Sequence, residues 1–97
     1  MEVIWTNQAL NKVNKFVDYI AQDSLEIAEK WAEELLSKTD QLHSQPMSGR
    51  IVPEYNEKNL REIISGNYRI IYRIKQDTIY IQTVRHVRQN LSDSEKL

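Results

Sequence analysis

Apolar residues at positions 9, 10, 13, 16, 17 and 20 recur with a period near 3.6, which predicts an amphipathic helix. Ahead of it, the stretch Glu2–Trp5 (EVIW) is short and β-prone, and Thr6-Asn7 supplies a helix cap. The chain therefore opens with a strand that runs into a helix. Gln22-Asp23-Ser24 breaks the period. Asp23 and Ser24 both cap helices well, and Glu26 stands three residues after Asp23, in the spacing of a capping box. A second helix follows, with Ala28, Trp31, Ala32, Leu35, Leu36 and Leu42 on one side and Glu29, Lys30, Glu33, Glu34 and Lys38 on the other. It stops before Pro46, because the residue preceding a proline avoids helical angles. Two helices joined by so short a break turn back on each other. Neither apolar stripe is satisfied by the other helix alone, so both require a sheet.

That sheet comes next. Pro46–Arg50 reads as a loop, and residues 60–65, 68–75 and 78–86 read as three strands. Gly66-Asn67 and Gln76-Asp77 are the turns between them, and such short connections make the neighbours antiparallel. Side chains alternate along a strand, so Tyr68, Ile70, Tyr72 and Ile74 point one way and Arg69, Ile71, Arg73 and Lys75 the other. The expectation is that the helices cover the first face and leave the second as an open basic row. Arg61 can join it, and Arg85, His86 and Arg88 cluster at the end of the last strand. That strand carries a conflict. Ile79 and Ile81 alternate with Val84, which predicts a bulge or twist near Thr83. The expected fold is α+β: one domain over residues 1–97, with an N-terminal strand and an antiparallel two-helix hairpin packed on a small antiparallel sheet. A polar tail runs from about residue 92. Trp5 and Trp31 read as core anchors.

Composition narrows the class without naming it. The 97 residues include 40% hydrophobic and 28% charged side chains, as in a soluble globular domain. With no cysteine, disulfides and thiolate metal sites are excluded, and a reducing cytoplasm fits. The N-terminus lacks a secretory pattern, and no apolar run approaches a membrane span. Net charge is −1, but residues 1–48 hold four Lys against eight acids, and residues 49–97 hold nine basic groups against six acids. All six arginines lie between Arg50 and Arg88. That asymmetry points to an anionic partner on one face. The plainer reading is paired surface charge.

Several segments, WTNQAL, FVDYIAQDS, AEKWAEELL, QPMSGRIVPEY, LREIISGNYRIIYRI and IYIQTVRHVRQ, follow one another in this order. Together they resemble the RelE/ParE superfamily of bacterial toxins from type II toxin–antitoxin modules, over residues 3 to 91. The most specific pieces are Leu60-Arg61-Glu62 leading into Tyr68-Arg69-Ile70-Ile71-Tyr72, the His86-Val87-Arg88 ending, and the Pro46–Glu54 loop. The sequence is nearest the ParE-like branch. The resemblance implies a cognate antitoxin, a toxin–antitoxin hetero-oligomer in the cytoplasm, and DNA gyrase as the target. It implies neither cofactor nor metal, and no membrane. The residues it offers for target binding are Arg61, Arg69, Arg73, Arg85 and Arg88.

A second implication is a ribosome-dependent mRNA endoribonuclease of the RelE type, and a third a detoxified antitoxin-binding domain. A nuclease must activate a 2′-oxygen, stabilise the phosphorane and protonate the leaving oxygen. Arg69 would hold the phosphate, assisted by Arg73 or Arg61, with His86 as acid or base. Three departures stand against that pattern: Glu62 where a lysine is usual, no tyrosine after Tyr80, and Gln89 in place of a second arginine. With Arg69 on the open face, Arg69→Ala is expected to leave the fold intact but reduce toxicity, whereas Tyr72→Ala removes about 3 kcal/mol or more.

Overall fold

The protein is represented by a computed structural model that describes residues 1–89. The polar tail expected from about residue 92 lies outside them. Strand β1 (Glu2–Trp5) leads into helix α1 (Asn7–Ala21), then helix α2 (Leu25–Asp40) and a single 3-10 turn at Gln41–His43. Strands β2 (Arg50–Ile51), β3 (Leu60–Ser65), β4 (Tyr68–Lys75) and β5 (Thr78–His86) complete it. The family-like α+β architecture is as expected. Two details differ. The sheet is mixed, in the order β1-β5-β4-β3-β2, because β1 pairs in parallel with β5 at one edge. The helix hairpin returns the chain to the sheet from the far end, which removes the antiparallel requirement of a tight turn. In addition, an unexpected short strand, β2, starts at the last residue of the expected loop and pairs antiparallel with β3 through Arg50↔Glu62 and Ile51↔Arg61.

Local chemistry explains the helix starts. Thr6 accepts the Ala9 N–H at 3.1 Å and donates to the Ile81 carbonyl at 2.7 Å, so one hydroxyl caps α1 and fixes it to β5. Ser24, not Asp23, caps α2 by accepting the Ile27 N–H at 3.2 Å. The capping box from Asp23 does not form, since the helix begins one residue later. Ala9, Leu35 and Leu42 meet Ile70, Tyr72, Ile79, Ile81 and Val84 in the main core, with Trp5, Phe16 and Trp31 against it.

The bulge is where it was expected. β4–β5 pairing runs Ile71↔Thr83 and then Tyr72↔Ile81, so Gln82 has no partner. The skip returns Val84 to the helix-facing side shared by Ile79 and Ile81. Both hairpin turns use left-handed backbone, at Gly66 (φ +58°) and at Gln76 (φ +58°).

The opposite face is not left open. Val52, Leu60 and Ile71 are buried there as a second small core, with Tyr55 packed on it. The segment between β2 and β3 folds back across this face. Tyr72 anchors its beginning from the other side. The phenol accepts the Gly49 N–H and donates to the Pro46 carbonyl, both at 2.9 Å. Gly49 is required: a Cβ there would lie 2.6 Å from the Glu62 carbonyl and the Tyr72 hydroxyl.

Candidate functional site

Directly opposed residues share a face of a sheet, so register sorts the candidates. Ile64↔Arg69, Glu62↔Ile71 and Leu60↔Arg73 lie on the face away from the helices. Arg61↔Tyr72 lies on the helix-facing side. Arg61 therefore does not join the row of Arg69 and Arg73. Its Nη1 donates to the Gly49 carbonyl at 2.8 Å and its Nε to the Lys58 carbonyl at 3.0 Å.

Arg69 is only 5% exposed, which overturns the expectation of an accessible guanidinium. Its Nε (2.9 Å) and Nη2 (2.6 Å) donate to Glu62 Oε1. Nη1 and Nη2 also donate, both at 2.7 Å, to the two carboxylate oxygens of Glu54. Glu62 is 1% exposed, and its Oε2 accepts Arg50 Nε at 2.8 Å and Nη2 at 2.7 Å. Two guanidinium groups and two carboxylates thus form a charge-balanced chain, Arg50–Glu62–Arg69–Glu54. The hydrogen bonds it donates to Glu54, together with those to Glu62, raise the Arg69 pKa against the effect of burial, so the group stays cationic. Farther along β4, Arg73 Nη2 reaches Glu57 Oε2 at 3.2 Å.

These arginines share a task. Arg61 holds Gly49 and Lys58, Arg69 holds Glu54, and Arg73 holds Glu57. Arg69 and Arg73 thereby fasten the segment between β2 and β3 over the second core, while Arg61 ties Gly49, just ahead of β2, and Lys58 to β3. Sequence reasoning missed Glu54 and Glu62 as their partners. The signal was present: Glu62 lies between two apolar residues of β3, on the same strand face as Leu60 and Ile64. Above the network lies an open depression of about 440 Å³, lined by Arg50, Pro53, Glu54, Ile64, Arg69 and Val87.

His86 belongs to the other face, opposite Tyr68 in register. Its ring meets Tyr68 edge-to-face at 5.4 Å. Tyr68 in turn meets Phe16 at 4.9 Å and Trp31 at 5.0 Å. Nδ1 of His86 accepts the Arg88 N–H at 3.1 Å, which leaves the proton of a neutral ring on Nε2. A recess of about 470 Å³ opens here between Lys15, Phe16, Tyr19, Tyr68, His86 and Gln89. The fold thus keeps Arg69 and Arg73 on one face, each with its own acidic partners, and sends His86 to the opposite side of the sheet. Arg85 is half-buried opposite Arg69 in register, and Arg88 is exposed in the turn after β5.

A third feature is wholly apolar. Trp5, Leu10, Val13, Ala32, Leu35 and Leu36 line a cavity of about 180 Å³ between β1 and the hairpin. Leu10 and Leu36 at its rim are 45% and 53% exposed. Among the described residues no group of three or more His, Cys, Asp or Glu side chains is placed to hold a metal ion. No described helix is long and apolar enough to cross a membrane.

Comparison with known proteins agrees with this architecture. Residues 3–91 match the family model described as ParE toxin of type II toxin-antitoxin system, parDE. Toxin RelE2 of Caulobacter vibrioides (strain ATCC 19089 / CIP 103742 / CB 15) is 31% identical over 86 residues, covering 88% of this chain and 93% of that protein. A chain from the structure described as a chromosomal ParDE TA system from P. aeruginosa superposes with a TM-score of 0.74 at 19% identity. That match covers 89% of this chain and 95% of the other, and it is a likeness of fold. With its helix hairpin, five-stranded sheet and family match over nearly its whole length, the chain belongs to the ParE toxin family of type II toxin–antitoxin systems.

Proposed function

We propose that the protein arrests growth by binding a protein target, DNA gyrase, and that its antitoxin neutralises it by covering the helix hairpin. The observation that carries the binding reading is the arrangement of Arg69. Its guanidinium already holds two carboxylates, and His86 faces the other side of the sheet. A phosphate clamp and a proton-transfer group within reach of one scissile bond are what RNA cleavage needs. Arg69 and His86 do not form such a pair, because they lie on opposite faces of the sheet. For the antitoxin, the half-exposed Leu10 and Leu36 around an apolar cavity offer the kind of pocket that takes an aliphatic anchor.

Likeness to a protein named Toxin RelE2 keeps the endoribonuclease as the second reading. Expression without and with the neighbouring reading frame tests the toxin assignment through growth arrest and its relief. A supercoiling assay with purified gyrase and pulse labelling of translation then separate the two targets. Inhibited supercoiling with translation initially intact supports gyrase. Early loss of translation with cleaved mRNA supports the ribosome. Harmless expression of folded chain returns the detoxified domain.

A further inference from the structure

With Arg61, Arg69 and Arg73 fastening the chain to itself, the positive charge available to a ligand has to lie elsewhere. We propose that the recess between α1 and the end of β5 binds single-stranded nucleic acid, with a base against its aromatic wall and phosphates on the cations beside it. Lys12, Lys15 and Tyr19 fall at i, i+3 and i+7 of α1 and form one stripe, with Phe16 beside Lys15. Lys15, Phe16 and Tyr19 line the recess, and Tyr68 and His86 form its sheet side. Tyr19 is 69% exposed, so the face of its ring is accessible to a ligand. Arg88, exposed in the next turn, adds a cation at the same end of β5.

The cations there lie close to one another. Burial, the nearby Arg85 guanidinium and then Lys15 hold the Lys12 ammonium below its ordinary range. Asp18 is the only acid on α1. A surface that keeps like charges close gives up some stability for the field it creates. The recess volume of about 470 Å³ is in the range of small-ligand sites. Stacking rings flanked by cations are the two elements by which single strands are held without sequence preference. An acidic polypeptide would satisfy the cations but offer no planar face to the rings. The inference is independent of which macromolecule the toxin poisons.

The test is fluorescence anisotropy of a labelled oligo(dT) of about twelve nucleotides titrated with the intact chain at low and rising salt. The expected result is salt-sensitive binding that Tyr19→Ala weakens about tenfold. Lys15→Gln should flatten the slope of log K against log salt by about 0.7. Lys12→Gln should weaken binding while raising the melting temperature, a pairing that a purely structural lysine would not show. Lys30→Gln, on the outer side of α2, is the charge-matched control and should leave binding unchanged. Circular dichroism verifies that each variant is folded. Absence of binding at low salt overturns the proposal. So does an equal loss from Lys30→Gln and Lys15→Gln with none from Tyr19→Ala, which would mark diffuse attraction. Displacement of the oligonucleotide by poly-glutamate at equal charge concentration would assign the surface to an acidic polypeptide instead.

Discussion

At Arg69 a side chain that looks like a ligand-binding cation is held by two acids of its own chain. Removing it leaves Glu62 buried with Arg50 alone and releases Glu54. Arg69→Ala is therefore expected to lower unfolding free energy by about 3–5 kcal/mol, the usual consequence of breaking a buried pair. Urea denaturation measures it, and an unchanged midpoint would return Arg69 to the role of an accessible binder. Tyr72 allows a second measurement. Tyr72→Phe removes two hydrogen bonds and strands the Gly49 N–H, for a loss of about 1–3 kcal/mol. Burial pushes the Tyr72 phenol up. A raised folded pKa gives stability that is fully present below the unfolded tyrosine pKa of about 10 and is lost as pH rises through the folded value. The parent should lose stability in that alkaline window, and the Phe variant should lose less of it. Comparing thermal midpoints from neutral pH to about pH 11 tests the sign.

Among the elements, the segment between β2 and β3 is the one whose stability depends most on specific charges. Val52 and Tyr55 cover Ile71 and Leu60, while Glu54 and Glu57 are held by Arg69 and Arg73. Glu54→Gln weakens the bidentate bond without emptying the second core. Amide exchange should accelerate across this segment and remain slow in β4 and β5, since local opening follows local contacts. The β4–β5 turn gives a prediction of opposite sign. Gln76 occupies the left-handed region at φ +58°, which a glycine adopts without a Cβ penalty. Gln76→Gly is expected to stabilise the protein by up to about 1 kcal/mol, read as a higher urea midpoint. Gly49→Ala should do the reverse and leave little soluble protein, because the two atoms it would meet are a backbone carbonyl and a buried phenol.

Across the whole molecule, the sheet separates two surfaces with different chemistry. One side presents a charge-balanced arginine and glutamate network beneath an open depression. The other presents the hairpin, with an apolar cavity near β1 and an aromatic, cationic recess near the end of β5. Antitoxin and target can then be distinguished by mutation. Leu36→Glu, at the rim of the apolar cavity, should abolish rescue by the antitoxin while leaving growth arrest intact. Tyr19→Ala should not affect rescue. Growth curves with and without the partner reading frame provide the measurement. Loss of arrest on Leu36→Glu would place the target, rather than the antitoxin, on that cavity.

The order of elements was legible in the chain because periodicity, caps and turns are local. Spacings of 3.6 and of 2 residues, Thr6, Gly66 and Gln76-Asp77 act within a few residues of themselves. Even the bulge opposite Ile71 could be read, from the conflict between Ile81 and Val84 along one strand. Family membership was legible for the same reason, since its motifs are contiguous. What alternation could state about Arg69 was its face, and that was right. Whether that face meets water depended on residues up to fifteen positions away, Glu54 and Glu62, and on a segment that folds back over it. Burial and ion pairing are properties of what the rest of the chain brings near a side chain, so only the tertiary structure could decide that these arginines hold the fold together.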